Sequence, residues 1–286
     1  MYIESSKKVN SIKGHSKMIK ERLQQARKFY STLDFNTASK VGAIVTKNKK
    51  LESTAEGKEY VVAGISLFPS FKGSCSHAAS CAKLCIGFTG VSQMMKGSTN
   101  SILSNVDKAM LKRLWIFNNK QDYFYRRATA EIEMMSVYGE MQVMFREISS
   151  ECIDFRKFSS SNVTTYGYFK NPAKILQHSE IHNVPQKAIY SWSEKSNKDF
   201  LDVCKTVGMP VSVVVPKKLH KEMLAGNVES DNVYIHNGDI SDLESHESYK
   251  EGKLNIHLLS EKTARYSNVI ERPKFLDSYK KLLKHI

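Results

Sequence analysis

The chain contains no apolar run near the roughly 18 residues that a membrane-spanning helix needs. Its opening stretch, residues 1–19, is polar and lysine-rich, without the apolar core or cleavage site of a secretory leader. Both absences point to a cytoplasmic protein with no membrane partner. Cysteine is scarce as well, with five in 286 residues. Three of them fall close together, which is not the layout of a disulfide framework; in a reducing compartment such clustering signals metal or redox chemistry. Tandem repeats, coiled-coil heptads and low-complexity tracts are missing. Acidic residues are thinnest at the start, where residues 1–50 hold twelve Lys/Arg against three Asp/Glu, so most of the formal charge of +14 sits there. Clustered cations bind phosphates by releasing counterions, which makes nucleic acid one expected partner of this basic N-terminal helical arm. A solvated arm without a partner is the other reading.

Hydrophobic residues make up 41% of the chain and aromatics 10%, enough to bury a sizeable core. The length suits two small domains or one large α/β barrel. The pattern divides into an arm and linker over 1–58 and a single barrel-like α/β domain over 59–286. Within the arm, Ile12, Met18, Ile19, Leu23, Ala26 and Phe29 recur three or four apart, giving a weakly packed amphipathic helix over 11–30. Residues 47–50 and 52–57 read as a polar hairpin or linker.

A strand over 59–68 follows, then two helices between 99 and 138 with Ile102, Val106, Met110, Leu114 and Phe117 on the first stripe. Short apolar runs at 142–145, 163–169, 187–192, 210–215, 232–235 and 254–258 are six further strands. In the clearest unit, a strand ending at Trp192 leads into a helix over 198–207, with Gly208 as its stop, and then into a strand over 211–215. That order makes a βαβ unit and hence a parallel sheet, open or closed into a barrel.

Directly after the first of these strands comes Cys75-Ser76-His77-Ala78-Ala79-Ser80-Cys81-Ala82-Lys83-Leu84-Cys85, in the place where α/β folds put ligands and chemistry. Three thiolates this close can ligate three irons of a [4Fe-4S] cluster and leave the fourth iron open. They also suit zinc, with His77 or a distant residue as the fourth ligand. Gly73, Gly87 and Gly90 allow a tight wrapping backbone, and Phe68, Phe71 and Phe88 could shield it. With no metal, the three would be small buried residues. Cys204, within a helix, reads as core. Cys152 reads as a buried thiol, with fourth ligand as the alternative.

The tricysteine loop after a strand, the helix pair, Phe145-Arg146-Glu147-Ile148-Ser149, Tyr166-Gly167-Tyr168-Phe169-Lys170 and Tyr190-Ser191-Trp192-Ser193 resemble the phage gene product eighty-eight domain family over about residues 60–259. That family is in turn similar to the radical S-adenosylmethionine enzymes, although the cysteines here are more widely spaced. The resemblance implies a partial parallel β/α barrel with Cys75, Cys81 and Cys85 as cluster ligands and S-adenosylmethionine bound through its amino and carboxylate groups at the open iron. It also implies an electron donor, cofactor cleavage to an adenosyl radical, and a phage protein working in the host cytoplasm on an unidentified substrate, nucleotide or nucleic acid among the candidates. The non-enzymatic alternative is a nucleic-acid- or protein-binding module built around structural zinc or an inert cluster.

In a barrel, polar groups at the C-terminal strand ends face the cluster. The cofactor-binding candidates are therefore Arg146, Glu147, Lys170, Ser191, Glu194, Asn237 and Asp239. Arg146 suits a carboxylate or phosphate, Glu147 or Glu194 an amino group, and Ser191 a ribose. Asn237-Gly238-Asp239 also fits a plain turn. Tyr166, Tyr168 and Trp192 read as core aromatics that could alternatively stack on a base.

Overall fold

The computed structural model describes residues 17–47, 49–68, 102–139, 142–148, 158, 163–169, 186–192, 199–226 and 232–260. The strands are β1 (Val45–Thr46), β2 (Tyr60–Ser66), β3 (Gln142–Ile148), β4 (Val163–Phe169), β5 (Gln186–Ser191), β6 (Val211–Val215), β7 (Val233–Asn237) and β8 (Leu254–Ser260). They form one sheet in the order β1-β2-β3-β4-β5-β6-β8-β7. The two-residue β1 pairs antiparallel with β2, and every other neighbouring pair is parallel. The helices are α1 (Lys17–Ser31), α2 (Phe35–Ala38), α3 (Lys49–Ala55), α4 (Asn105–Asn119), α5 (Gln121–Gly139), α6 (Asp199–Thr206), α7 (Lys217–Leu224) and α8 (Glu244–Glu247). The protein is thus mixed α/β around a largely parallel sheet. Among the described residues, no helix is long and apolar enough to cross a membrane.

Strand periodicity divides the sheet into two faces. Ala63, Ile65, Val163, Phe169, Ala188, Tyr190, Val211, Val213, Val215, Leu254, Ile256 and Leu258 join the main buried cluster with residues of α1, α4, α5, α6 and α7. The alternate positions, Val62 and Tyr166 among them, meet Leu51 of α3 and Leu243 in a second, smaller cluster. Cys204 of α6 belongs to the main cluster at 1% exposure, and burial pushes its thiol up to about 12, so it is an inert core residue. Gly208, with φ 71°, ends α6 as a left-handed stop, its neighbour Met209 donating N–H to the Cys204 carbonyl at 2.8 Å.

The segment 17–58 is built into the fold more closely than its charge suggests. Arg22 on α1 is 1% exposed. It grips Asp107 of α4 with two donors, Nε to Oδ2 at 3.1 Å and Nη2 to Oδ1. Asp107 also completes a capping box with Ser104 at the start of α4. One carboxylate therefore both starts α4 and neutralises a buried guanidinium, and the loss of either partner would leave a buried charge alone. Residues 39–45 are held by α5, whose Arg127 donates to the carbonyls of Ser39, Val41 and Gly42. Glu131 accepts from the amides of Ile44 and Val45 at 2.8 and 2.7 Å. Residues 49–55, expected as hairpin or linker, form helix α3, with Leu51 fully buried against the sheet. Tertiary burial of Leu51 outweighs the polar composition of Lys49–Ala55.

Candidate functional site: the polar face of the sheet

Two registered rows of residues run across the second face. One comprises Gly64, Arg146, Tyr166 and Lys187 on β2 to β5. The other comprises Ser191, Ser212, His257 and His236 on β5, β6, β8 and β7. Solvent does not explain this polarity, since Tyr166 and His257 are fully buried, His236 is 2% exposed and Ser212 3%. Each polar group there needs a partner within the protein.

The partners come from the connection between β7 and β8. Asp242, 1% exposed, accepts from the Tyr166 hydroxyl through Oδ2 at 3.2 Å and from the Tyr168 hydroxyl through Oδ1 at 2.9 Å. The Tyr168 oxygen also lies 2.8 Å from His257 Nε2, and His257 Nδ1 lies 3.0 Å from Ser245 Oγ. With Tyr168 donating to the carboxylate, its oxygen accepts from Nε2–H, which leaves Nδ1 bare to accept from Ser245. Tyr168 and His257 stand on strands separated by β5 and β6, about 14 Å apart on a flat sheet. Their contact therefore requires the sheet to curl around this face. Gly238 completes the packing, because a Cβ there would lie 2.4 Å from His257 Nε2.

Serine, histidine and aspartate together invite a hydrolase reading, and the geometry rejects it. Tyr168 stands between the imidazole and the carboxylate, while Ser245 is fully buried, so the hydroxyl meets no substrate. The chain of groups serves instead to fix the 241–247 segment against the sheet. His236 extends the polar row, its Nε2 donating to Asn255 Oδ1 at 2.8 Å. Burial pushes this imidazole below its ordinary value, against the opposing pull of the Asn255 hydrogen bond. Asn255 in turn donates to the carbonyls of Lys250 and Lys253, holding the turn at Gly252.

A charged cluster lies beside this network. Glu247 accepts from Tyr60 at 2.7 Å and from Lys58 at 2.9 Å. Burial works to raise its carboxyl, but these two donors prevail and hold it below the ordinary carboxylate range. Burial lowers the half-buried Lys187 ammonium, with Glu247 opposing.

Of the residues singled out from sequence, Arg146 and Ser191 occupy positions on the polar face, in separate rows. Glu147 falls in the row of Ile65 and Gly167, on the helix-covered face. Asn237 and Asp239 sit where β7 ends, the Asp239 amide donating to Asn237 Oδ1 at 3.2 Å as the turn reading expects. Cys75, Cys81, Cys85, Cys152, Lys170 and Glu194 lie outside the described residues. Sequence reasoning missed His257, Asp242 and Ser245. The one signal for His257 was its place at the centre of the apolar run Leu254–Leu259, where alternation marks a second face without saying what covers it. Compared with protein-family models, curated proteins and solved structures, the chain matches none of them.

Proposed function

We propose that this chain is an iron–sulfur protein similar to the radical S-adenosylmethionine enzymes, with Cys75, Cys81 and Cys85 as the cluster ligands. The observation that carries the reading is order along the chain. The cysteine segment follows β2, the first of seven successive strands paired in parallel, and chemistry in such folds gathers at the C-terminal strand ends. The donor set fits the group, because three thiolates are the soft ligands that iron–sulfur clusters take. The same sheet is read as a partial β/α barrel. In support, Lys58 and Tyr60, at the start of β2 near one edge, bond Glu247 in the connection between the two strands at the other edge.

A cluster with one open iron would bind S-adenosylmethionine and pass it an electron from an external donor. Arg146 and Ser191 hold register positions on the polar face of the sheet, and in this reading a carboxylate is the partner suited to the first and a ribose hydroxyl to the second. The substrate is read as a nucleotide or nucleic acid, on the strength of the cationic first fifty residues.

The test is iron, sulfide and zinc content with the visible spectrum, on the full chain purified without oxygen. About four irons and four sulfides per chain, with broad absorption near 400 nm, support the reading. Cys75→Ala, Cys81→Ala and Cys85→Ala should each lose the cluster, and full iron retention in any of them removes that ligand. One zinc without colour replaces the reading with a nucleic-acid- or protein-binding module.

A further inference from the structure

Two lysines surround one carboxylate at the N-terminal ends of the strands, and they are held differently. Lys58, just before β2, bonds Glu247 Oε2 at 2.9 Å, and Tyr60 takes Oε1 at 2.7 Å. Lys187 lies near the start of β5, in register with Tyr166 of β4, whose hydroxyl is committed to Asp242. Among the described residues, Lys187 makes no hydrogen bond or ion pair. It is partly buried, yet its nitrogen, unlike His236 Nδ1, is not sealed from solvent.

The same carboxylate thus acts on the two amines unequally. A hydrogen bond from Lys58 and the charge of Glu247 hold the Lys58 ammonium above its ordinary value. For Lys187 burial comes first and lowers the ammonium; Lys58, a like charge, pushes the same way, and Glu247 only partly offsets them. Desolvated and beside another cation, a lysine sheds its proton more readily and its lone pair becomes a nucleophile. Two classes of electrophile suit such an amine. An aldehyde would give a carbinolamine that needs an acid to expel water, and the acids here, Tyr60 and Lys58, both donate to Glu247. An acyl thioester needs none, because a thiol ionises near its ordinary value of about 8.5 and departs as the thiolate.

We infer that Lys187 is an acylation site, whose Nζ attacks the carbonyl carbon of an acyl thioester. The N–C bond forms and the C–S bond breaks, the bonding pair leaves with sulfur, and one proton of the amine passes to the thiolate, giving an amide and a thiol. The amide carries no charge, the state that burial favours, and Glu247 keeps both its donors, so modification breaks no hydrogen bond of the fold. The site does not depend on a cluster, since it lies at the opposite strand ends from the cysteine segment, which follows β2.

The test compares Lys187 with Lys218, whose side chain is 91% exposed, in the full folded chain. Trace acetylation with isotopically labelled acetic anhydride over about pH 7–10, completed with unlabelled reagent after unfolding and read by peptide mapping, gives each lysine its own titration. At about pH 7 Lys187 should react several-fold faster than Lys218 despite its smaller exposure, and its rate should level off at a lower pH. Acetylation by the acetyl thioester of N-acetylcysteamine should show the same preference. Glu247→Gln should speed the reaction of Lys187 several-fold, whereas Lys58→Met, which frees Glu247 to draw the Lys187 ammonium, should slow it. Labelling of Lys187 no faster than that of Lys218 at neutral pH overturns the inference without any variant. So does a rate unmoved by both substitutions, and so does a thioester that leaves Lys187 unmodified while the anhydride labels it.

Discussion

His257 and Leu258 are neighbours in β8, both fully buried, and opposite forces hold them. Leu258 points into the main cluster under the helices, where the gain is apolar area removed from water and is nearly indifferent to orientation. His257 points into the curled face, where its place is set by Tyr168 on one nitrogen and Ser245 on the other. Hydrogen bonds there add little net stability, but they exact a full desolvation cost when broken. The apolar face thus supplies most of the stability, and the polar face selects one arrangement of the connection between β7 and β8.

Three substitutions would break or sharpen that contrast. Leu258→Ala should have the largest effect, about 2–5 kcal/mol of stability, from lost burial and the cavity left behind. Urea unfolding should show a lower midpoint with unchanged native His257 signals. A loss below about 0.5 kcal/mol would deny the apolar face its leading part. Gly238→Ala should come next, about 1–3 kcal/mol. Its added Cβ would meet the His257 ring, which Tyr168 and Ser245 already hold, so here the His257 signals should move while the rest of the core stays.

The smallest effect belongs to His236→Gln and appears only with pH. Burial holds the His236 imidazole below its ordinary 6.5, so below that pH the unfolded chain takes up a proton that the native protein refuses. The stability this group contributes is therefore whole above pH 6.5 and is lost as pH falls toward its folded value. Unfolding measured at about pH 7.5 and about pH 5.5 should show a smaller pH dependence in the glutamine variant. An equal slope in the two proteins would mean that His236 is not held neutral.

Local pattern made much of the sheet legible. The run over 163–169 is β4, and those over 187–192, 210–215 and 254–258 match β5, β6 and β8 within about two residues. The two stripes between 99 and 138 are α4 and α5, and Gly208 ends α6 with its positive φ. Alternation and capping act over a few residues, so the chain displays them directly. How the basic segment 17–58 packs was not legible, because charge counts every cation alike and cannot show that Arg22 is paired with Asp107 across 85 positions. For the same reason α3 was missed, its helicity resting on the burial of one leucine.

The candidate sites divide along the same line. The three clustered cysteines are visible in sequence because metal ligands can come from one short segment, and their order after β2 needs only local reading. The polar network needed the fold, since Tyr168, Asp242, Ser245 and His257 come from a strand, a connection, a short helix and a strand that only a curled sheet brings together. Lys58 and Lys187 likewise share Glu247 only because the connection between β7 and β8 reaches the start of β2. Sequence by itself determined the α/β class, most strand positions and the cysteine spacing, which depend on neighbours along the chain. The tertiary structure alone decided which polar residues are buried and whom they bond, because burial and partner are set by distance in space.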